Sequence, residues 1–506
     1  MSFAQLLDET VRRCPCKLAL IDGNRHWSYS EFNYAVWGAA RGLAAAGITA
    51  GDRIALHMLN RIELAVLYFA CARLGAISVP INTRLKPPEV DFVLGHSGAS
   101  IYIGTPELMP MPVCQRPDAV KRIFLLDRSD GPQGTLAYES LFTEGSTLQP
   151  QYIDPCQPAN IIYTSGSTAR PKGVVHNHNA IISAAKLGQP GILSDSVIAQ
   201  ATSMMHSGGF SKLIASVHVG ATVVLLPGFD ADQVLDAIEK HRCTYFFSGL
   251  PFMFDTLVER QLARPRDVTC ASIFHAGGDT VSPTLQSRFE DIFKHPLGEG
   301  YGSTEAGRVT HQPPDRAVRT GSIGLPIDGI DVKIVDPQGR EAPIETAGEL
   351  LIKTPAAMSG YWWDQKATAE VLQDGWIHSG DVARRDVDGY IWFVGRKKEI
   401  IVRGGSNISP REVESVLVAH PAVIESGVFG LPDPVLGERV VAVVRSREDV
   451  HASETELIAY LRSRLADCKV PERIWFRESL PKNSGGKLQR GSLREEVLAE
   501  SGLLSF

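Results

Sequence analysis

This sequence of 506 residues has few of the features that mark a metalloprotein. Its eight cysteines are scattered, and Cys14-Pro15-Cys16, the one cluster, has no second cluster that would complete a zinc site. His176 and His178 are too few to form a coordination shell by themselves. We therefore expect reduced thiols and no structural metal.

Long apolar runs and excess positive charge are also missing. No uncharged run approaches the roughly 20 residues of a membrane span. The first twenty residues lack the basic and apolar regions of a secretory signal. A net charge of −6 with a pI near 6.2 provides no basic field for nucleic acid. We expect a cytoplasmic protein without a nucleic-acid partner, and a homodimer is one possible assembly.

Hydrophobic periodicity over the first 320 residues predicts an α/β fold. Apolar residues recur at helical spacing from Phe32 to Leu43, and a strand, a helix and a strand are predicted at 53–57, 63–74 and 76–81. The same order recurs at 221–226, 231–240 and 244–247, before a helix at 251–259. This rhythm is typical of a parallel sheet covered by helices. The Pro- and Gly-rich stretch at 105–149 is expected to be an exposed loop.

Short alternating strands at 331–335, 348–353 and 390–394 follow and favour a small β-barrel or sandwich. The last hundred residues show a helix at 410–419, a strand at 440–444 and a helix at 454–465, which predicts a small α+β domain.

The most informative stretch is a hydroxyl- and glycine-rich loop at residues 163–173. Its hydroxyls, the backbone N–H groups near Gly166 and the ammonium of Lys172 are donors that suit a polyphosphate, whose oxygens only accept. The loop is not a Walker loop, because Pro171, Lys172 and Gly173 stand where Gly-Lys-[Ser/Thr] is required. A phosphate-binding loop is favoured, and a polar surface turn is the alternative.

Three further motifs carry complementary chemistry. Residues 300–305, Gly-Tyr-Gly-Ser-Thr-Glu, end in a carboxylate that could anchor Mg²⁺, which prefers few protein ligands and shared phosphate oxygens; a plain helix start is the alternative. Asp381 offers an acceptor and Arg396 a pair of donors that suit vicinal ribose hydroxyls; a turn residue is the alternative for Asp381. Lys487 ends a glycine-containing loop and could bring a cation between two anions.

Together these motifs resemble those of the acyl-adenylate-forming enzymes, the superfamily of acyl- and aryl-CoA ligases, peptide-synthetase adenylation domains and beetle luciferases. The resemblance covers nearly the whole chain, and its motifs are dense from Tyr163 to Lys487. One departure is Ala169, which stands where the family usually has glycine. If that position needs a positive φ, alanine is strained there by roughly 1 kcal/mol or more.

The resemblance implies roles for residues along the chain. The implied phosphate-binding residues are Thr164, Ser165, Gly166, Ser167, Thr168 and Lys172. The adenine side consists of Gly277, Gly278 and Tyr301, the α-phosphate contact is Thr304, and the Mg²⁺ anchor is Glu305. Asp381 and Arg396 bind the ATP ribose, and Lys487 is the adenylation lysine. His206 gates the acyl and thiol channels, and the CoA contacts are Gly404, Gly405, Asn407 and Arg84.

The implied organisation is an N-terminal body, residues 1–395, that binds ATP and the acid. It has α/β subdomains to about 320 and a β-rich subdomain at 321–395. A hinge at 396–398 centres on Lys398, and residues 399–506 form a mobile C-terminal domain.

The resemblance also implies an acid pocket. The resemblance places its lining at Gly208, Gly209, Ser248, Gly249, Gly300 and Gly307, and these small residues favour a medium-to-long acyl or bulky aryl acid. Lys212 and Arg308 border it. An inward orientation would favour an acid with a polar or anionic far end. An outward orientation is the expectation, since Lys and Arg are seldom buried without a partner.

The function implied is an ATP-dependent acid–CoA ligase that works through an acyl-AMP. One alternative is an adenylating enzyme that loads a carrier-protein thiol. An amino-acid adenylation domain is disfavoured, because the segment around His206 lacks the Asp that pairs with a substrate ammonium. A non-catalytic nucleotide-binding paralogue is the alternative of another class, and the intact Glu305, Asp381, Arg396 and Lys487 disfavour it.

Overall fold

The structure is a computed structural model. It describes residues 2–109, 119–127, 132–142, 152–164, 171–187, 191–247, 250–278, 281–313, 316–403, 406–433, 435–447, 450, 452–483 and 486–500. The chain forms two compact units, the first comprising Met1–Val332 and Ile352–Ile377 and the second Lys333–Leu351 and His378–Phe506.

The helices are α1 (Ala4–Arg13), α2 (Tyr29–Ala45), α3 (Ile62–Leu74), α4 (Pro87–Ser97), α5 (His178–Leu187), α6 (Ser207–Val219), α7 (Ala231–His241), α8 (Pro251–Ala263), α9 (Pro283–Phe293), α10 (Gln365–Val371), α11 (Pro410–Val418), α12 (Glu454–Arg462) and α13 (Arg490–Glu500).

The strands are β1 (Leu18–Asp22), β2 (Arg25–Ser28), β3 (Arg53–His57), β4 (Ile77–Pro80), β5 (Ile101–Gly104), β6 (Arg122–Leu125), β7 (Leu136–Ala137), β8 (Pro158–Thr164), β9 (Lys172–Asn177), β10 (Val197–Gln200), β11 (Thr222–Leu225), β12 (Tyr245–Phe247), β13 (Ile273–Ala276), β14 (Leu297–Glu299), β15 (Gly302–Ser303), β16 (Gly307–Arg308), β17 (Thr310–His311), β18 (Leu325–Pro326), β19 (Asp331–Val335), β20 (Gly348–Lys353), β21 (Gly360–Tyr361), β22 (Leu372–Gln373), β23 (Trp376–Arg385), β24 (Ile391–Arg396), β25 (Ile401–Arg403), β26 (Ser406–Ile408), β27 (Val423–Asp433), β28 (Gly437–Ser446) and β29 (Arg473–Phe476).

Two large sheets organise the first unit. One has the strand order β14-β13-β12-β10-β11-β1-β2, and the other has the order β21-β9-β8-β4-β3-β5-β6-β7. Strands β10 to β14 run parallel, as do β3, β4, β5 and β6. The predicted parallel sheets covered by helices are therefore confirmed.

Local sequence signals explain where the helices of this unit begin and end. Ser28 caps α2, and Glu31 completes a capping box. Helix α3 ends at Gly75, whose φ of 69° suits a residue without a side chain. Buried side chains of α2, α3 and α6 join apolar residues of both sheets in one core. The helices thus form a packed layer between the two sheets.

The second unit contains most of a small sheet and all of another. The first has the order β19-β20-β23-β22, with β24 also paired to β23, and the second has the order β26-β25-β28-β27, with β29 on β28. Helices α11 and α12 cover the second sheet through Val413, Leu417, Leu457 and Leu461. The predicted short strands are confirmed. Their closure into a barrel or sandwich stays a prediction, and so does a mobile domain beginning at residue 399.

Most predicted elements lie where the periodicity indicates, but one expectation is wrong. Residues 105–149 are not simply an exposed loop, because β6 and β7 lie within this stretch and extend the second sheet. The apolar run Ile123-Phe124-Leu125 supplies three buried side chains of β6. Along the described part of the chain, no helix has the length and apolar character needed to cross a membrane.

Candidate active site

The two ends of the predicted phosphate loop are held side by side. Thr164 ends β8 and Lys172 begins β9, and these two residues are paired in the antiparallel register of the strands. The loop between them is therefore clamped at its base. Its tip lies outside the described residues, and so do four of the predicted phosphate ligands and the unusual alanine: Ser165, Gly166, Ser167, Thr168 and Ala169.

Thr304 and Glu305 occupy the tip of a tight hairpin rather than the start of a helix. Gly302 pairs with Arg308, and Ser303 pairs with Gly307. A Cβ atom at position 302 would lie 2.6 Å from the carbonyl oxygen of Gly307, so the close approach requires glycine. The Ser303 hydroxyl accepts a 3.1 Å hydrogen bond from the backbone N–H of Ala306, which fixes the turn. The alternative of a helix start is wrong.

Contacts with β9 and α6 position this hairpin tip. His176 on β9 donates its Nε2–H to the carbonyl oxygen of Thr304 at 2.8 Å. Burial lowers the pKa of His176, so its ring is neutral and keeps one N–H for this bond. The hydroxyl of Ser207, the first residue of α6, lies 3.2 Å from the hydroxyl of Thr304. Thr304, the predicted α-phosphate contact, therefore lies beside β9, the strand that follows the phosphate loop.

Glu305 is held by a residue that the sequence analysis missed. The hydroxyl of Tyr361 donates a 3.0 Å hydrogen bond to Oε1 of Glu305. Burial, followed by the charge of Glu305, raises the pKa of Tyr361 and keeps its hydroxyl protonated. The Nζ atom of Lys172 lies 4.9 Å from the centroid of the same ring. Tyr361 therefore joins the predicted metal anchor to the lysine of the phosphate loop.

The predicted adenine side lies at the carboxyl edge of the first sheet, where ligands of α/β proteins bind. Gly277 and Gly278 follow β13, and Tyr301 comes two residues after β14, the neighbouring strand. The carbonyl oxygen of Tyr301 accepts hydrogen bonds from Val309 at 2.9 Å and from Thr310 at 3.2 Å. These bonds fix the backbone that carries the aromatic ring.

His206 is the residue immediately before α6, and it is half-buried. The start of this helix lies close to the preceding chain, because a Cβ atom at Gly209 would lie 2.2 Å from the carbonyl oxygen of Ser203. Only glycine allows that approach. Gly208, its neighbour, is exposed. The position of His206 is thus set by the path of the backbone.

A small cavity of about 20 Å³ lies beside the hairpin tip. Its lining includes His176, Ser207, Phe210, Thr304, Gly307 and Ala356. Gly307, with a φ of 70°, is the predicted pocket residue that lines it. At Gly300, by contrast, an added Cβ atom would lie 2.8 Å from the carbonyl oxygen of Thr310, so the missing side chain opens no room there. Ser248 and Gly249 are outside the described residues.

The expected outward orientation of Lys212 is wrong. Its relative exposure is 1%, which places the side chain among the largest fully buried ones. Burial lowers the pKa of Lys212 well below its ordinary value, and the charge of Arg308 lowers it further. Arg308 itself is half-buried. The expectation failed because helix α6 is covered on this face as well as on its apolar face.

The second unit holds the predicted ribose pair. Asp381 on β23 and Arg396 on β24 are directly opposite each other, and Nε of Arg396 lies 2.8 Å from Oδ1 of Asp381. The carboxylate is buried and the guanidinium is partly exposed. The backbone therefore brings together two residues that lie 15 positions apart in the sequence and were assigned one role.

Lys487 lies in a tight turn of the same unit. The side-chain oxygen of Asn483 accepts a 3.0 Å hydrogen bond from the backbone N–H of Lys487, and the backbone N–H of Asn483 donates to the Lys487 carbonyl at 2.8 Å. The residue is exposed, as are Lys398 and, in the first unit, Arg84. Gly404, Gly405 and the side chain of Asn407 lie outside what the structure describes.

Comparison with known proteins gives matches along nearly the whole chain. Residues 7–362 match the family described as AMP-binding enzyme, and residues 412–487 match the AMP-binding enzyme C-terminal domain. A feruloyl-CoA synthase from an Amycolatopsis species is 36% identical over 96% of both chains. An indoleacetate–CoA ligase from Aromatoleum aromaticum is 32% identical over 98% of both chains.

The fold matches solved structures equally well. The crystal structure of the anthranilate CoA ligase AuaEII in complex with anthranoyl-AMP superposes with a TM-score of 0.92. The match covers 99% of this chain and 98% of that chain, at 26% sequence identity.

Proposed function

This chain belongs to the AMP-binding enzyme family and is an acid–thiol ligase, and we propose that it forms acyl-CoA thioesters through an acyl-AMP intermediate. The observation that carries the proposal is the arrangement around the hairpin tip. Thr304 lies against Ser207 and His176, and Glu305 is joined through Tyr361 to Lys172. A hydroxyl, a carboxylate and an ammonium thus meet at the base of the phosphate loop.

In the first step, a carboxylate oxygen of the acid attacks the α-phosphorus of ATP. The bond from that phosphorus to the bridging oxygen breaks, and pyrophosphate leaves with the bonding electrons. In this proposal Lys172 and the phosphate loop bind the departing phosphates, and the Thr304 hydroxyl donates to an α-phosphate oxygen. Lys487 brings the cation that lowers the repulsion between carboxylate and phosphate. Asp381 and Arg396 bind the ribose.

In the second step, the thiolate of CoA attacks the acyl carbon, the bond to the AMP oxygen breaks, and AMP leaves. The thiol proton passes to solvent. Arg84, Gly404, Gly405 and Asn407 are the proposed CoA contacts, and His206 is the proposed gate between acid and thiol. Rotation about Lys398 would exchange Lys487 for the thiol-binding segment between the two steps.

The residues at the hairpin tip fit Mg²⁺, which takes one or two protein carboxylates and completes its shell with phosphate oxygens and water. Glu305 is half-buried, and its Oε1 atom is oriented by Tyr361. Bound there, the ion would neutralise charge on the triphosphate. The carboxylate of Glu305 would hold it, and Tyr361 would hold the carboxylate.

The substrate class that the sequence predicts, a medium-to-long acyl or bulky aryl acid, stays the proposal, although backbone atoms already fill the space beside Gly209 and Gly300. Two named relatives act on aryl acids, ferulate and indoleacetate, which supports the aryl class. A carrier-protein thiol remains the alternative acceptor. The cytoplasmic location and the homodimer stay predictions.

A panel of fatty and aryl acids tests this function, with CoA and a phosphopantetheinylated carrier protein offered in parallel. We expect acid-dependent release of AMP and a product with the mass of the CoA thioester. A thioester on the carrier alone would favour the alternative acceptor. The absence of acid-dependent ATP–pyrophosphate exchange across the panel would favour a non-catalytic nucleotide-binding protein.

A further inference from the structure

Three buried side chains and one half-buried arginine form a cluster of hydrogen-bond donors near Gly300. We define this basic cluster by Lys212 on α6, Tyr245 on β12, His275 on β13 and Arg308 on β16. Lys212, Tyr245 and His275 have relative exposures of 1%, 0% and 6%. The rings of Tyr245 and His275 are 6.0 Å apart, and α6 packs against β16. Apart from the half-buried Arg308, the cluster is therefore a feature of the packed interior.

The glycine at position 300 connects this cluster to the nucleotide side. A Cβ atom there would lie 3.3 Å from Nη2 and 3.6 Å from Nε of Arg308. The guanidinium thus lies directly against the backbone that precedes Tyr301. Because β12, β13 and β14 run parallel, this backbone is at the edge where ligands bind.

The electrostatics of the cluster show that its charges disfavour one another. Burial lowers the pKa of Lys212, and Arg308 lowers it further. Burial lowers the pKa of His275 well below its ordinary range, and the charges of Arg308, His311 and Lys212 add to this effect. A negative group placed among them would favour the protonated forms of Lys212 and His275. Ammonium, guanidinium and phenol groups are also donors, and they suit an acceptor such as a carboxylate.

The distance along α6 sets the length of the acid. Lys212 comes five residues after Ser207, the first residue of α6, which at 1.5 Å per residue is an axial separation of about 7.5 Å. The reacting carboxylate belongs near Thr304, whose hydroxyl contacts Ser207 at the start of the helix. An acid that spans from this point to the basic cluster has a chain of intermediate length.

We propose that the basic cluster binds a second anionic group at the far end of the acid, so that the preferred substrates are dicarboxylic acids of intermediate length. The proposal rests on the proposed ligase function and narrows its substrate class. Lys212 and Arg308 receive the far carboxylate, while the near carboxylate reacts with ATP.

Acid-dependent ATP–pyrophosphate exchange measures this preference in the wild-type protein. Suberate and monomethyl suberate differ in the far charge and little in shape, and a series from glutarate to sebacate varies the length. We expect kcat/KM to be roughly tenfold or more higher for the diacid, with an optimum at intermediate length. A preference for the methyl ester, or for a phenol-terminated acid over the diacid, would overturn the proposal.

Three variants distinguish the effect of losing a positive charge from the effect of disturbing the fold. Lys212→Met and Arg308→Met should each lower the diacid-to-ester ratio by roughly tenfold. Lys212→Arg should keep the ratio, because it keeps a cation. Lys240→Met is the matched control, since that lysine is exposed on α7. An unchanged ratio in both methionine variants would overturn the proposal.

Failure of this inference is distinguishable from failure of the ligase function. If monomethyl esters and fatty acids support exchange with no preference for diacids, only the basic cluster is misassigned. If no acid of either panel supports exchange, the ligase function itself fails. The wild-type comparison decides between these outcomes even if a methionine variant does not fold.

Discussion

The hydroxyl of Tyr361 donates a hydrogen bond to Oε1 of Glu305 across 3.0 Å, although the two residues are 56 positions apart in the sequence. Tyr361 lies on the short strand β21, which pairs with β9 opposite Val174. Its ring also lies under the ammonium of Lys172. One side chain therefore positions both the proposed metal anchor and the lysine at the base of the phosphate loop.

Replacement of Tyr361 by phenylalanine should weaken the metal dependence while sparing the phosphate loop. The substitution removes the bond to Glu305 and retains the ring beneath Lys172. A hydrogen bond to a charged group contributes about 1.5–3 kcal/mol, so we expect the Mg²⁺ concentration for half-maximal pyrophosphate exchange to rise roughly tenfold. The thermal shift produced by Mg²⁺ with ATP should shrink in parallel.

Two further variants make this experiment specific. Tyr361→Leu removes the ring as well, and it should also raise the KM for ATP. Tyr34→Phe is the control, because Tyr34 is exposed on α2. A Mg²⁺ titration that is identical in Tyr361→Phe and wild type would show that the hydroxyl does not position Glu305.

Substitution of Lys487 by alanine should separate the two half-reactions. Two hydrogen bonds of the turn use backbone atoms of Lys487, one to the side chain of Asn483 and one to its backbone, and alanine retains both. We expect pyrophosphate exchange to be abolished and thioester formation from supplied acyl-AMP to be retained. Lys482→Ala, a change at a nearby exposed lysine, serves as the control. Equal loss of both half-reactions in Lys487→Ala would contradict the proposed role.

Gly209 should tolerate no side chain. A Cβ atom at this position would lie 2.2 Å from the Ser203 carbonyl oxygen and 2.9 Å from the Met204 nitrogen, and both are backbone atoms that cannot rotate away. We expect Gly209→Ala to cost about 1–3 kcal/mol, read as a lower midpoint of thermal unfolding. Gly95→Ala is the matched control, because Gly95 is also in a helix and has open space around it. A thermal midpoint equal to that of wild type would show that the start of α6 can move.

Much of the fold could be predicted from the sequence, because the apolar pattern and the turn residues that define a strand lie within one short stretch of chain. The bounds of β3, β19 and β20 agree with the predicted strands, since alternating or continuous apolar residues are bounded by turn residues. The stretch at 105–149 was misjudged because its Pro and Gly content hid the buried triplet at 123–125. A strand of four residues is too short for composition over a long window to detect.

The site was predictable where a motif is continuous and unpredictable where it depends on packing. Thr304, Glu305, Asp381 and Arg396 lie in motifs; the first two share a hairpin tip and the last two are paired across β23 and β24, while their roles stay predictions. The partnership of Tyr361 with Glu305 arises from the pairing of β21 with β9, which no short pattern encodes. Only the aromatic run after Gly360 could have drawn attention to this residue. The burial of Lys212 likewise depends on what covers α6, which the helix sequence alone does not reveal.

The stability of the first unit should fall with acid because of two buried histidines. Burial lowers the pKa of His57 to about 4 and that of His178 to about 4, from an ordinary value of 6.5. Above pH 6.5 both the folded and the unfolded chain carry neutral rings, so these histidines contribute no pH dependence there. Between pH 6.5 and 4 only the unfolded chain takes up the protons, so the free energy of unfolding decreases as the pH falls. Below about 4 the effect levels off.

Each histidine should contribute about 3–4 kcal/mol to this decrease, from a difference of about 2.5 pKa units at about 1.4 kcal/mol per unit. His57→Asn offers an oxygen to the Tyr102 hydroxyl, which lies 3.0 Å from Nδ1 of His57, and it removes the titrating ring. His178→Asn does the same for the backbone N–H of Phe3, which donates to Nδ1 of His178 at 3.3 Å. The free energy of unfolding, measured with denaturant from pH 8 to pH 4, should decrease less steeply in each variant than in wild type. Because the histidines are neutral at pH 8, the difference from wild type at that pH gives the packing cost of the substitution alone. A decrease as steep as that of wild type in both variants would mean that other groups cause the acid sensitivity.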